Sequence, residues 1–296
     1  MAIVVVTRGV ILSARGLAWW CLLRDFSPAR VHVMIGLRTI GEGINVLLPV
    51  ATVGGDIVRT ILLKSRGVDR GAAAAATLVD LLLQAGAQAL FVSIGIALLL
   101  QVAGAAELAS WAARGLGIAA LALGSFYGVQ RFGGAHLVER GLGALARRWP
   151  AAATGNATGL HKSLRTIYAD RSAVAACLAL HALAWLIGAL ETWVALRLVN
   201  MPVTVSTALI LESLNQGLRT AAFPVPGALG VQEGGFIALG ALFGIPAETA
   251  LGLSLIKRLP DLAIGLPSLL AWYLLQIQRL LRIRSVATTG GRMTSG

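Results

Sequence analysis

Apolar positions fall in long runs that charged residues barely interrupt. Runs long enough to cross a ~30 Å hydrocarbon core as helices occur at about 72–103, 109–130, 172–196 and 259–278, and most end in Trp, Tyr or Arg, residues that suit the membrane interface. Ile3 to Leu23 is a fifth such run, weakened by Arg8 and Arg15. Those charges exclude a signal-peptide core, and the AWWC stretch offers no small-residue cleavage site. The pattern predicts an all-α, polytopic integral membrane protein. Composition agrees: 57% hydrophobic residues, 13% charged residues and a mean hydropathy of +0.79 over 296 residues leave too little polar surface for a soluble domain.

Two stretches break this pattern in the same way. NVLLPVATVGGDIVRTILLKSRGVDRGAA (45–73) and AAFPVPGALGVQEGGF (221–236) each run from an apolar helix into prolines and glycines, then to an acid, then into a second apolar helix. The helix-breaking positions are Pro49, Gly54 and Gly55 in the first, and Pro224, Pro226, Gly227 and Gly230 in the second. Spacing after the acid agrees: Asp56 to Gly67 and Glu233 to Gly244 are both 11 residues, and Asp56 to Asp80 and Glu233 to Lys257 are both 24. At that last position the two copies match in spacing and differ in sign.

The turn after the first copy carries Lys64, Arg66 and Arg70, whereas Gly244 to Glu248 has no basic residue. Basic loops mark the cytoplasmic side, so the copies are expected to be inverted, as two re-entrant broken-helix hairpins within repeats at about 31–103 and 204–280. The net charge of +12 fits this map: residues 130–172 hold seven basic residues against Glu139 and Asp170, and neither this loop nor the basic C-terminal end requires a nucleic acid. Within the loop (131–171), Leu137, Val138, Leu142, Leu145 and Trp149 fall opposite Arg140 and Arg147. That spacing suits an amphipathic helix in the headgroup layer, or equally a solvated connector. One transmembrane domain spans 1–284, and 285–296 reads as a disordered tail with the C-terminus cytoplasmic. If Arg24 and Arg30 are cytoplasmic, the N-terminus faces outward, an unusual arrangement that one more upstream helix would repair.

Non-helical backbone at membrane depth must be satisfied by protein or by a water-filled cavity, so the breaks predict a polar cavity into which half-helix N-termini point. Asp56 and Glu233 stand at those N-termini, where they can cap the helix or contact substrate. Arg38, Glu42, Arg59, Asp80, Glu191, Glu212, Arg219, Lys257, Arg258 and Asp261 all fall in or beside apolar spans and must face inward and pair. Arg38 with Glu42 and Arg258 with Asp261 are spaced to pair on a single helix. Arg59, Arg219 and Arg258 are candidates for a phosphate, which guanidinium binds through paired hydrogen bonds; the alternative is buried pairing with Asp56, Glu233 and Asp261. Two distant cysteines and four scattered histidines argue against a disulfide framework or a metal site. His181 reads as a hydrogen-bonded packing residue, and no cofactor is expected.

Asn45-x-x-x-Pro49 with Gly54-Gly55-Asp56-x-x-Arg59, and Pro224-x-Pro226-Gly227-x-x-Gly230-x-x-Glu233 followed by Gly244, Arg258 and Pro267, resemble the integral-membrane, flippase-like region of lysylphosphatidylglycerol synthases over about residues 15–280. SLNQGLRTAAFPVPGALGVQEGGF and SLIKRLPDLAIGLPSLLAW look more specifically like the hopanoid-biosynthesis-associated subgroup. The resemblance implies two re-entrant hairpins and a role in moving or handling lipids of the bacterial inner membrane, and it adds Asn45 to the candidates. Only about a dozen polar residues follow the last helix, so no aminoacyl-transferase domain is present in this stretch and synthesis of lysylphosphatidylglycerol is not expected from it.

Three functions are consistent with these features. A lipid transporter uses the breaks as a hydrophilic path for headgroups of anionic phospholipid or hopanoid class, without ATP hydrolysis of its own because no P-loop is present. A membrane-embedded enzyme or its accessory would use the carboxylates as bases, but no nucleophile or metal constellation accompanies them, and a non-enzyme is expected. A secondary transporter of a small ion shares the inverted-repeat logic. Small-residue runs such as Gly71 to Ala76 allow close packing within one chain or in a homo-oligomer.

Overall fold

The computed structural model describes residues 2–26, 30–47, 54–102, 106–131, 157–222 and 225–290, and every regular element among them is helical. In chain order these are α1 (Ala2–Leu23), α2 (Val31–Leu47), α3 (Gly54–Lys64), α4 (Arg70–Leu99), α5 (Ala106–Arg131), α6 (Ala157–Ala169), α7 (Arg171–Leu198), α8 (Val205–Ala221), a 3-10 turn (Pro226–Ala228), α9 (Val231–Ala241) and α10 (Ala247–Gly290). Five of them are long and apolar enough to cross a bilayer: Ile3–Leu23, Arg70–Leu99, Ser110–Gln130, Arg171–Leu198 and Ala247–Ile277. Pro49, Pro224 and the segment from Leu137 to Trp149 lie outside the described residues.

The last crossing differs from the run expected at 259–278. α10 is continuous through Pro260 and Pro267, although each proline removes one backbone donor from the ladder. Lys257, Arg258 and Asp261 therefore sit well inside a long helix rather than ahead of it. α3 and α9, with 11 residues each, rise only about 16 Å at 1.5 Å per residue, roughly half the hydrocarbon thickness. Neither can cross alone.

Each short helix folds back on the helix before it. On α2 and α3, Gly41 faces Gly55 so closely that a Cβ on Gly55 would fall on the Gly41 carbonyl oxygen; on α8 and α9, Gly235 lies against the Asn215 side-chain oxygen. Glycine is required at Gly55 because the two backbones themselves are in contact there. The turns that follow both use left-handed glycine, Gly67 at φ 88° and Gly244 at φ 68°, a conformation that glycine adopts without a steric penalty.

The apolar core divides into two main clusters. Val68, just after the first of these turns, packs with Leu23, Leu63, Ala72, Leu164 and Ala173. Ile245, just after the second, packs with Leu99, Leu196, Leu211 and Phe236. α4 and α7 begin in the first cluster and end in the second, so the two turns occupy opposite ends of the bundle. At the first end, Asp69 caps α4 by accepting from the N–H groups of Gly71 and Ala72. Asp170 caps α7 by accepting from Ala173 N at 3.0 Å and also receives Arg24 Nη2 at 2.6 Å.

Candidate functional site

Helices that leave a break carry N–H groups with no intrahelical acceptor. In the first break the preceding helix supplies one: Asn45 Oδ1 accepts from Gly55 N at 2.7 Å, while Asn45 Nδ2 donates to Asp56 Oδ2 at 3.2 Å. Asp56 Oδ1 in turn accepts from Arg59 Nε at 2.8 Å. Arg59 is fully buried, its guanidinium lying 4.6 Å over the Trp19 ring, and its Nη2 donates to Asp80 Oδ2 at 2.9 Å. Asp80, also fully buried, accepts from Arg38 as well and meets His181 Nε2 at 2.9 Å. One carboxylate from α4 thus gathers side chains from α2, α3 and α7.

The second break is satisfied differently. Gly227 (φ 60°), Ala228 (φ 48°) and Gly230 (φ 80°) are all left-handed, which turns carbonyls toward α10. Arg258 Nη1 donates to Gly227 O at 3.1 Å. Glu233 accepts from Arg258 Nε at 2.7 Å, from Gly230 N at 2.8 Å and from Ser254 Oγ at 3.2 Å. One turn away, Lys257 Nζ lies 2.8 Å from Glu212 Oε2 and 3.4 Å from Glu191 Oε1, and donates to Thr192 Oγ1 at 2.9 Å. The sign reversal at the matched position now has a structural counterpart. In the first unit a buried anion on the long helix, Asp80, takes a cation from the preceding arm, Arg38; in the second a buried cation, Lys257, takes an anion from the arm, Glu212.

Several expected pairings are replaced by longer-range ones. Arg258 binds Glu233 instead of Asp261, and Asp261 binds Arg8 of α1. Arg38 keeps Glu42 only at 4.0 Å, its close partners being Asp80 and Gln84. Glu42 is held instead by Arg15 Nη1 at 3.0 Å. His181 is the hydrogen-bonded packing residue expected of it. Arg219 stands apart: among the described residues it has no hydrogen bond or ion pair. Asp80 and Lys257 belong to separate clusters, and so do Asp56 and Glu233.

Sequence reasoning missed Arg8 and Arg15 as site residues, taking them only as charges that weaken a span. They are seven residues apart, two helical turns on one face, and that spacing was the available signal. Thr7 belongs with them, donating to Glu191 Oε2 at 2.9 Å. With α1 included, the buried or half-buried charges form one seam through the bundle. Arg8, Arg15, Arg38, Arg59, Lys257 and Arg258 pair with Asp261, Glu42, Asp80, Asp56, Glu191, Glu212 and Glu233, and Arg219 is a further, half-buried cation without such a pair among the described residues. Pairing is what makes such a set tolerable, because a lone charge at the bilayer centre costs about 2.5–3.5 kcal/mol on insertion scales.

The second break reaches the end of α2 at this seam. Gly227 of the second lies against the carbonyl of Val46, the penultimate residue of α2, which an added Cβ would meet at 3.7 Å. Beside that contact a cleft opens between α1, α2 and α10, with Arg8, Thr39, Glu42 and Asp261 as its polar lining and Leu12, Val46 and Ile264 among its apolar walls. Elsewhere, Asp80, Cys177 and His181 bring ligand atoms within 4.8 Å of one another. The Arg38 and Arg59 guanidiniums already on Asp80 would repel a divalent cation there.

Five crossing helices, two half-length helices and a buried charged seam define a multi-pass membrane protein, and the cleft lies beside the contact between its second break and the end of α2. The chain belongs to the family of the lysylphosphatidylglycerol synthase TM region, whose model matches residues 1–271. This family places the protein in lipid handling. No curated protein and no solved structure gives a match.

Proposed function

We propose that this chain moves lipid between the leaflets of the bacterial inner membrane, with the headgroup passing along the charged seam while acyl chains, or a hopanoid skeleton, stay in the bilayer. The observation that carries this reading is the cleft lined by Arg8, Glu42 and Asp261, beside the contact between the second break and the end of α2. The half-length of α3 and α9, and the placement of their turns at opposite ends of the bundle, support an inverted pair of re-entrant hairpins around a midplane site. The exposed Lys64, Arg66 and Arg70 at the first end support a cytoplasmic orientation for that end, and for the C-terminus that α10 carries toward it. A non-enzymatic role is supported by the seam's carboxylates, each of which has a cationic partner, so that none stands free as a general base. Glu233 is held by three donors as the cap of α9, which favours movement down a gradient over proton coupling through this residue.

The test is transbilayer movement of fluorescent phospholipid and hopanoid analogues in proteoliposomes. Wild type accelerates movement, and Arg219→Gln slows it about tenfold, the equivalent of ~1.4 kcal/mol in a barrier, without lowering thermal stability. If folded wild-type protein moves no lipid of either kind, the reading fails. An accessory role in lipid biosynthesis then becomes the better account, with an accumulated precursor in a deletion strain as its signature.

A further inference from the structure

Two buried carboxylates, Glu191 of α7 and Glu212 of α8, converge on the single ammonium of Lys257, and the hydrogens around them serve the two unequally. Lys257 Nζ has three. Its close acceptors are Glu212 Oε2 at 2.8 Å and Thr192 Oγ1 at 2.9 Å, while Gly188 O and Glu191 Oε1 both stand off at 3.4 Å. Glu212 also receives Thr192 Oγ1 at 2.7 Å and Gln216 Nε2 at 3.1 Å. Among the described residues, the close polar contact of Glu191 is Thr7 Oγ1, 2.9 Å from Oε2. That hydroxyl also lies 3.0 Å from both Ile3 O and Val4 O, so one hydrogen faces three acceptors. Other helical hydroxyls of this chain, those of Ser13, Thr39 and Ser125, donate to the carbonyl four residues back, as Thr7 does to Ile3. The lone pairs of Thr7 then face Glu191 Oε2, and two oxygens at 2.9 Å need a hydrogen between them.

The remaining charges on the helices around Glu191 have other partners or lie elsewhere. Arg8, next to Thr7, binds Asp261 of α10, and Arg258 of α10 binds Glu233. Arg197 of α7 stacks over Trp193. Asp80 of α4 meets His181, ten residues back along α7, and α6, with Lys162 and Arg165, joins α7 at its start. Arg219 of α8 stands two turns beyond Glu212. Two carboxylates on one ammonium leave a negative charge in excess, in surroundings where Coulomb terms are several times larger than in water. A proton cancels that charge and needs no cavity, whereas a metal ion would have to displace Lys257 Nζ from oxygens it already holds. We propose that Glu191 is a proton-binding site whose Oε2 takes a proton from water at the Gly244 end of the bundle and donates it in a hydrogen bond to Thr7 Oγ1, and that this proton couples lipid movement to the proton gradient. The protonated carboxyl leaves Lys257 to Glu212 and so ties α8, the arm of the second hairpin, to α10. Loss of the proton makes Glu191 a second claimant and draws Lys257 toward α7. That the coupled process is lipid movement rests on the proposed function; the proton site itself does not.

Difference infrared spectroscopy of the full chain in nanodiscs reads the site directly, because a protonated carboxyl has a C=O stretch that a carboxylate lacks. Wild type minus Glu191→Gln is expected to show that band, removed when the pH is raised. Thr7→Val, which takes away the oxygen that receives the proton, should shift the band, and it keeps the test decisive if Glu191→Gln does not fold. The amide of Glu191→Gln donates to Thr7 as the protonated carboxyl does, so its thermal midpoint should match wild type, an outcome that an ionised Glu191 paired with Lys257 would not give. In proteoliposomes holding a gradient of one pH unit, wild type should concentrate a trace fluorescent phospholipid up to about tenfold in one leaflet, the ratio that one proton per lipid supports. Glu191→Gln should leave it evenly distributed. Absence of the band, or a band untouched by Thr7→Val together with a lowered midpoint for Glu191→Gln, overturns the proton site. An even distribution although wild type moves the lipid overturns the coupling. If no lipid moves at all, the transport reading fails, and the spectrum still decides the proton site.

Discussion

Replacing Asp80 by asparagine tests whether the buried seam is held together by charge or merely by shape. The carboxylate is fully buried and is the common partner of Arg38, Arg59 and His181. An amide is nearly isosteric with the carboxylate it replaces, so packing changes little. What changes is that two buried guanidiniums lose a shared counter-charge, Arg59 keeping Asp56 at 2.8 Å and Arg38 keeping Glu42 only at 4.0 Å. Breaking a buried pair from one side costs about 3–5 kcal/mol, because the remaining charge stays buried without compensation. At roughly 2–4 °C per kcal/mol for a chain of this order, the thermal midpoint of the purified protein in nanodiscs should fall by about 6–20 °C. Adding Arg38→Gln removes one of the stranded cations, so the double variant should be more stable than the sum of the singles implies, by about 0.5–3 kcal/mol of coupling. A midpoint within about 2 °C of wild type for Asp80→Asn, or strict additivity with Arg38→Gln, would refute the reasoning.

The mirror-image site should behave alike: Lys257→Met strands Glu212 and Glu191, lowering the midpoint by an amount comparable to Asp80→Asn, and Glu212→Gln on top of it should recover part of the loss in the same assay. Gly55→Ala should cost about 1–3 kcal/mol or more, because its methyl group meets the Gly41 carbonyl; Gly86→Ala, whose added Cβ meets nothing within 4 Å, should leave the midpoint unchanged or raise it. Asp170 lies at the start of α7, outside the crossings, and its pKa is held well below the ordinary carboxylate value by hydrogen bonds from Ser172 Oγ, Ala173 N and Arg24. A depressed pKa contributes stability that is fully present above the unfolded value, about 3.9, and is lost as pH falls through the folded one. The midpoint difference between wild type and Asp170→Asn should therefore be constant from about pH 5 to 8 and shrink in stronger acid; a difference that grows as pH falls would contradict the assignment.

Local chemistry made much of this protein legible along the chain. Hydrocarbon thickness converts apolar run length into crossings, so five of them could be counted, and prolines clustered with glycines announce a break, whereas the isolated Pro260 and Pro267 stay within a continuous helix. The spacing from each acid to its glycine, Asp56 to Gly67 and Glu233 to Gly244, recurs as two short helices each followed by a left-handed turn. Spacing also showed that Asp80 and Lys257 hold equivalent places with opposite sign. Partners were another matter. A helix places i, i+3 and i+4 neighbours together, so Arg258 with Asp261 was the local expectation, yet a buried guanidinium goes where the most unsatisfied acceptors converge. For Arg258 these are Glu233 and the Gly227 carbonyl, exposed only because the break turns left-handed. Likewise, nothing near Arg8 or Arg15 in the chain explains why charges are tolerated in the first crossing. Their acids, Asp261 and Glu42, are 253 and 27 residues away, and helix packing alone brings them within reach. Bilayer and backbone constraints act over a few residues and can be read from order along the chain, whereas charge compensation in a low-dielectric interior acts between whichever helices happen to pack together.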